Sequence, residues 1–301
     1  MSTYHNPVLL KESVDALVCN RSGVYADATF GGGGHSREIL GRLSPEGRLI
    51  AFDRDSDALG NSLQDERFLL IHNNFRFIHN YMLQQAPEGF DGILADLGVS
   101  SHQFDTAERG FSFRYNAPLD MRMNVQGQKT AVDIVNSYTQ EELEKILKIY
   151  GEVENARRMA QLIVAERGKA AILSTEDLDN AIAAALPSNA AHKVLAKVYQ
   201  ALRIEVNDEM RSLEKFLSGA AASLKTGGIL AVITYHSLED RMVKNFIRSG
   251  NVEGEQDKDL FGNSRQPLEA VNRKPVLPRE EEIALNTRAR SAKLRVARKI
   301  K

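Results

Sequence analysis

A single cysteine, Cys19, and no tryptophan occur among 301 residues. One cysteine excludes a disulfide framework and suits a reducing, cytoplasmic setting. Nothing beside Cys19 activates it as a nucleophile. Long apolar runs are also missing. Stretches such as GGILAVIT, ending at Thr234, are too short to span a bilayer, so no membrane association is expected. MSTYHNPVLLKES at the start has neither a basic opening nor a long apolar stretch, so it is not read as a signal peptide. Charge of one sign is not in excess, because 39 Lys and Arg face 40 Asp and Glu. That balance argues against nucleic acid until its distribution is considered: RARSAKLRVARKIK, from Arg288, carries seven basic residues and no acid.

Signatures of several enzyme classes are absent too. There is no G-x-x-x-x-G-K-[ST], so a P-loop is excluded. H-E-x-x-H and cysteine-rich metal spacings do not occur, so no catalytic metal is expected. Ser237, His236 and Asp240 in TYHSLED suggest a hydrolase triad, but no G-x-S-x-G accompanies them. Read as a strand end, that segment has neighbouring side chains on opposite faces. His236 is then a candidate for the rim of a substrate pocket.

What is present is an alternation of strands and helices. GVYADATF, GRLIAFD, FLLIHNNF and FDGILADLGVSS read as four strands. Helices are expected from Ser36 and, capped by Asp55 or Ser56, over DSDALGNSL. After residue 103 the pattern becomes helical. Thr139 and Glu142 form a capping box before Leu143, Ile146 and Leu147, and Gly151 is a stop. NARRMAQLIVAERG and STEDLDNAIAAAL read as two more helices. A longer one, from about His192, puts Val194, Val198, Leu202, Val206 and Met210 on one stripe. LKTGGILAVITYHS and SAKLRVAR then return to strand character. Segments 105–136 and 250–272 resist assignment, the second reading as a mobile loop. No internal repeat is evident. The expected fold is α/β: a Rossmann-like, parallel-rich, doubly wound sheet in a discontinuous domain, 1–103 and 207–301, interrupted by a mainly helical insertion, 104–206.

The segment DATFGGGGHS indicates a ligand. Gly31 to Gly34 are contiguous at the end of the first strand, where a doubly wound sheet binds cofactors. Asp53, about twenty residues on, ends the second strand, where a carboxylate can bind ribose hydroxyls. A nicotinamide fold shares these features, but its G-x-G-x-x-G spacing suits a pyrophosphate. Here Asp27 precedes the glycines, an acid that would repel a pyrophosphate and attract the ammonium or sulfonium of S-adenosylmethionine. AFDRDSDAL and LKTGGILAVI resemble segments of S-adenosylmethionine methyltransferases. The cofactor expected is S-adenosyl-L-methionine.

TFGGGGHSREIL, DLGVSSHQFD, ERGFSF, LDMRMN, RIEVNDEM, YHSLEDR and NTRARSAKLRVAR resemble, in order, the motifs of the MraW (RsmH) family. The resemblance runs from about His5 to Arg298. It implies a class I methyltransferase acting on the N4 amino group of a cytosine in the decoding centre of 16S ribosomal RNA, within the small ribosomal subunit. The departures are Tyr235 where Phe is usual, Asn124 where Asp is frequent, Thr287 where Pro is commoner, and Gly32 at a variable position. By resemblance the cofactor contacts are Gly33, Gly34, His35, Asp53, Phe75, Asp96 and Gln103, with Asp96 also a candidate catalytic group. No NPPY-like motif follows the fourth strand; DLGV stands there.

Candidate RNA contacts are Phe111, Phe113, Arg114 and Tyr115 in RGFSFRY, by stacking and phosphate binding. Arg203 and Asn207 share a helical face, and Arg288, Arg290 and Lys293 lie in the basic tail. His236 joins them beside the pocket, and the insertion is a docking surface for a target base that must be flipped or exposed. Oligomeric state is left open, a homodimer being compatible. A methyltransferase for another RNA atom, a nicotinamide-dependent dehydrogenase and a non-catalytic RNA-binding module are the competing readings.

Overall fold

The computed structural model describes residues 7–256 and 266–301. Part of the segment 250–272, read as a mobile loop, therefore lies outside the described residues. The chain divides into two compact units, Met1–Gly98 with Met210–Lys301, and Val99–Glu209.

The first unit is built on one seven-stranded sheet. Its strands are β1 (Val24–Asp27), β2 (Arg48–Asp53), β3 (Phe68–His72), β4 (Phe90–Asp96), β5 (Leu224–Thr234), β6 (Leu268–Ala270) and β7 (Lys293–Lys299). They lie in the order β3-β2-β1-β4-β5-β7-β6. Pairing is parallel from β3 through β5. The last strand, β7, is antiparallel to both β5 and β6. The sheet is thus parallel-rich and doubly wound, with the topological switch between β1 and β4. That switch places the carboxyl ends of β1, β2 and β4 where a ligand is expected.

The two-residue side-chain period of the strands sorts residues between two cores. Val24 and Ala26 of β1, Ile93 and Ala95 of β4, and Leu230 and Val232 of β5 face one cluster, with Phe216 and Phe246. Tyr25, Leu94, Ile229, Ala231 and Ile233 face the other, with Leu17, Ile39 and Leu294. Apolar residues on both faces explain why these strands read as continuous hydrophobic runs. The helices of this unit are α1 (Leu10–Leu17), α2 (Gly34–Arg42) and α3 (Ile78–Gln85). DSDALGNSL is a 3-10 helix, Ser56–Asn61, rather than an α-helix, with Asp55 accepting a hydrogen bond from the Asp57 N–H. Gly60 and Asn61, both poor helix formers, fill its last turn, and the helix stops there.

The second unit holds α4 (Ser101–Asp105), α5 (Ala131–Ser137), α6 (Gln140–Ile149), α7 (Ala156–Arg167), α8 (Thr175–Ile182) and α9 (Ala191–Asn207). Capping boxes occur at Thr139/Glu142 and, starting α8, at Ser174/Asp177. The apolar stripe expected to run to Met210 stops earlier. Asp208 adopts φ 49°, a left-handed conformation that ends α9, and α10 (Glu209–Ser223) starts afresh. The first unit resumes within α10 and adds α11 (Ser237–Ser249) and α12 (Glu280–Leu285). Among the described residues no helix is long and apolar enough to cross a membrane.

The segment 105–136 is not a loose loop. Leu119, Met121 and Met123 are buried in the core of the helical unit. Met121 holds φ 61°, and its carbonyl accepts a 2.7 Å hydrogen bond from Asn207 Nδ2. Asn207 Oδ1 accepts from the Met123 N–H at 2.8 Å. The buried amide thus pins a backbone that an L-residue adopts only under constraint. Asn207→Ala would strand a buried N–H and a carbonyl, so a loss of about 2–4 kcal/mol is expected. Urea unfolding followed by circular dichroism checks it; a midpoint unchanged from the parent would contradict this role.

Candidate active site at the carboxyl ends of the sheet

β1 ends at Asp27, and the chain turns through Ala28–Gly33 before α2. Gly31 takes φ 51° and Gly33 φ 74°, both disfavoured for side-chain-bearing residues. Gly34 is required for a different reason: a Cβ there would lie 2.1 Å from Pro7 Cγ. At Gly31, by contrast, a Cβ would meet nothing within 4 Å. The loop therefore packs tightly at its helix end and leaves open space beside Gly31.

Asp53 closes the loop from the next strand. Its Oδ2 accepts from the Gly31 N–H at 2.8 Å, and its Oδ1 from the Asp55 N–H at 2.8 Å. Burial pushes the Asp53 carboxyl above its ordinary range, against these two donors, which pull it down. Asn61 Nδ2 donates to the Gly31 carbonyl at 3.0 Å. Gly31 is thus held on both backbone polar groups. Each Asp53 oxygen keeps a second lone pair, the chemistry required for a ribose diol.

Asp27 is engaged within the protein. It is 1% exposed, accepts from Ser36 Oγ at 2.6 Å and from the Thr29 N–H at 3.1 Å. Burial raises its carboxyl pKa, with the Ser36 and Thr29 hydrogen bonds opposing. The expectation that this acid attracts a sulfonium is therefore corrected: Asp27 ties β1 to α2. Thr29 carries the tie onward, since its Oγ1 accepts from the Asp96 N–H at 2.7 Å.

Asp96 ends β4 beside the switch point. Its Oδ1 accepts a hydrogen bond from Tyr235 Oη at 2.7 Å. Its Oδ2 faces His35 Nδ1 at 3.8 Å, beyond hydrogen-bond distance. His35 Nε2 lies 3.2 Å from the Val8 carbonyl, so Nε2 is the donor of that pair. Burial lowers the His35 pKa, although nearby Asp96 favours its charged form. Burial pushes the Asp96 carboxyl up to about 6, while His35 and the Tyr235 hydroxyl oppose the rise. Among the described residues no hydrogen-bond donor reaches Asp96 Oδ2.

His236 is not at a strand end. β5 stops at Thr234, and His236 is the N-cap of α11, its Nδ1 accepting from the Glu239 N–H at 3.4 Å. Glu239 Oε2 in turn accepts from the Tyr235 N–H at 2.9 Å. Ser237, His236 and Asp240 form no triad, because Asp240 binds Arg295 at 2.6 Å and Lys293 at 3.3 Å instead.

The remaining candidates divide by environment. Phe75 follows β3 and packs edge-on against Phe216, ring centroids 5.1 Å apart. Gln103 closes the capping box of α4 with Ser100. Phe111 is buried in the helical core, and Phe113 packs edge-on against Tyr199. The Phe111 ring is therefore withdrawn from stacking on a base, a correction caused by its burial, whereas Phe113 is half-buried. Arg114 is exposed, and Tyr115 is 56% exposed. Arg203 forms a two-pronged pair with Glu209, and Asn207 holds Met121 and Met123, so both are structural rather than RNA-facing. Arg288 is partly buried and Arg290 exposed in the turn Thr287–Ser291, and Lys293 shares Asp240.

Thr29, Ser36, Asn61 and Tyr235 were not picked out as site residues from sequence. Only Tyr235 carried a signal, as the tyrosine replacing an expected phenylalanine.

The profile of the MraW methylase family matches residues 2–300. The chain belongs to the MraW methylase family. Curated relatives named "Ribosomal RNA small subunit methyltransferase H" are similar over nearly its full length. The protein from Bacteroides fragilis strain YCH46 is 52% identical over 99% of this chain and 98% of its own. That from Flavobacterium psychrophilum is 53% identical over 97% and 100%. A solved rRNA methylase from Streptococcus thermophilus aligns with a TM-score of 0.43 at 12% identity, covering 97% of this chain and 94% of its own. The fold assignment rests on the sheet order rather than on that likeness. As an MraW methylase the chain is an S-adenosylmethionine-dependent methyltransferase. The open space beside Gly31, where a side chain would stand, and the acceptor lone pairs of Asp53 fit that cofactor.

Proposed function

We propose that this protein methylates the N4 amino group of a decoding-centre cytosine in 16S ribosomal RNA within the small subunit, in the cytoplasm. The observation that carries the chemistry is Asp96 Oδ2, an acceptor without a donor of its own at the carboxyl end of β4. The RNA class is supported by relatives 52% and 53% identical, named for the small ribosomal subunit.

When bound, S-adenosylmethionine supplies an electrophilic methyl group. The Gly31–Gly34 backbone, Asp53 at the ribose and Phe75 near the adenine are the groups assigned to hold it, with His35 flanking Asp96. The exocyclic amine of cytosine is a poor nucleophile because its lone pair is delocalised into the ring. Asp96 Oδ2 accepts one of its hydrogens, strengthening attack, and takes the proton as nitrogen gains a fourth substituent. A carboxyl titrating at about 6 is ionised at neutral pH and still basic enough for that task.

Arg114, Tyr115, Arg288, Arg290 and Lys293 are the remaining RNA contacts in this reading, the cations binding phosphates and Tyr115 a base. The helical unit is assigned to RNA recognition. The test is transfer of labelled methyl to small subunits lacking their native modifications, followed by nucleoside mass spectrometry. N4-methylcytidine as product supports the reading; label on another atom rejects the N4 assignment.

A further inference from the structure

We infer that Tyr235 is a positioning residue: its hydroxyl holds Asp96 by Oδ1 and so presents Oδ2 to the acceptor amine. The inference rests on the reading of Asp96 as the group that takes the amino proton.

The geometry is specific. Asp96 pairs in register with Ile233 across β4 and β5, so Tyr235 follows two residues beyond its partner and leans back over the end of β4. Gly98, at φ 100°, leaves room for the ring; a Cβ there would lie 3.3 Å from Tyr235 Cδ2. The Tyr235 N–H is anchored on Glu239 Oε2 at 2.9 Å. With backbone and ring both fixed, the hydroxyl has one partner among the described residues, Asp96 Oδ1 at 2.7 Å. The Asp96 backbone is fixed separately by Thr29. A carboxylate held at its main chain and at one oxygen can no longer rotate, and only its second oxygen remains to meet a substrate. A phenylalanine, the residue expected there by resemblance, fills the same space but exerts no such hold.

The hydrogen bond also bears on ionisation, because a donor to a carboxylate favours its charged form. The groups facing Asp96 are His35 from α2, Asp27 from β1, and Glu239 from α11, besides Tyr235 itself. Asp27 and Glu239 disfavour its charge, whereas His35 and Tyr235 favour it. Tyr235 keeps its proton throughout, since burial and then the neighbouring Asp96 raise its pKa well above the ordinary value. Removing the hydroxyl leaves one fewer group favouring the carboxylate, so Asp96 then titrates at a higher pH.

The experiment compares the full-length protein with Tyr235→Phe and Asp96→Asn. Carboxyl 13C NMR follows Asp96 in the cofactor-free protein, its resonance assigned by its loss in Asp96→Asn. The pH dependence of methyl transfer to unmodified small subunits is measured alongside. In Tyr235→Phe the Asp96 midpoint is expected to rise by about half a unit to one unit. The acid limb of the rate profile should move with it, lowering turnover roughly threefold to tenfold below the midpoint and little well above it. An unchanged midpoint and profile in Tyr235→Phe overturns the inference. Full activity in Asp96→Asn rejects instead the reading of Asp96 as proton acceptor, and with it any catalytic part for Tyr235, even if the midpoint moves.

Discussion

Asp96→Asn is expected to lower kcat by about 10²- to 10⁴-fold, the range that general-base groups supply. The amide has nearly the carboxylate's shape and can still accept from Tyr235 through its oxygen. Packing at the end of β4 is therefore preserved. What disappears is the negative charge and the basicity of Oδ2. Cofactor affinity should fall much less than turnover, because the acceptors proposed for the ribose are on Asp53. Single-turnover methyl transfer, with cofactor binding measured separately by calorimetry, distinguishes the two effects. Equal losses in both would make Asp96 a cofactor-binding residue without a part in proton transfer.

Asp53→Ala acts on the other side of the site. The substitution removes the acceptors for the Gly31 and Asp55 N–H groups together with those proposed for the ribose. Hydrogen bonds to a charged group are each worth about 1.5–3 kcal/mol, so cofactor affinity should fall by roughly 100-fold or more. Part of that loss comes through the loop, since Gly31 at φ 51° would keep only its carbonyl tie to Asn61. Asp53→Asn gives a second measurement, because one oxygen acceptor survives. An intermediate affinity for Asn supports direct hydrogen bonding; wild-type affinity for Ala would exclude Asp53 from the cofactor site.

Much of this architecture was legible in the sequence for a definite reason. Strands buried on both faces, such as β1 and β4, read as unbroken apolar runs, and β2 announced its end with Asp53. Capping boxes at Thr139 and Ser174 are local chemistry, visible wherever the residues stand. The failures have an equally physical origin. Residues 119–123 are held by Asn207 and Arg109, contacts remote in sequence, so no local pattern revealed them. The stripe from Val194 to Met210 keeps its period while Asp208 turns the backbone, which periodicity cannot sense. In RGFSFRY the alternation of aromatic and basic residues suggested stacking, but burial of Phe111 is a property of the packed helices around it. Within the site, Thr29 and Ser36 are ordinary small polar residues, and only folding puts them between Asp27, Asp96 and α2. Tyr235 could be noticed as a departure from a resemblance, yet its partner could not be named before β4 and β5 were seen side by side.

The place of β7 has consequences for how the chain reaches this state. It lies between β5 and β6, antiparallel to both, although it comes after the other six strands of the sheet in the chain. Until it arrives, β5 presents a bare, strongly apolar edge of the kind that recruits other unfinished chains. Its cognate occupant, KLRVARK, carries four cations, which make the late-arriving strand a poor template for self-association. Completion of the sheet thus waits for the segment from Lys293, and a nascent chain halted before it would remain a substrate for chaperones.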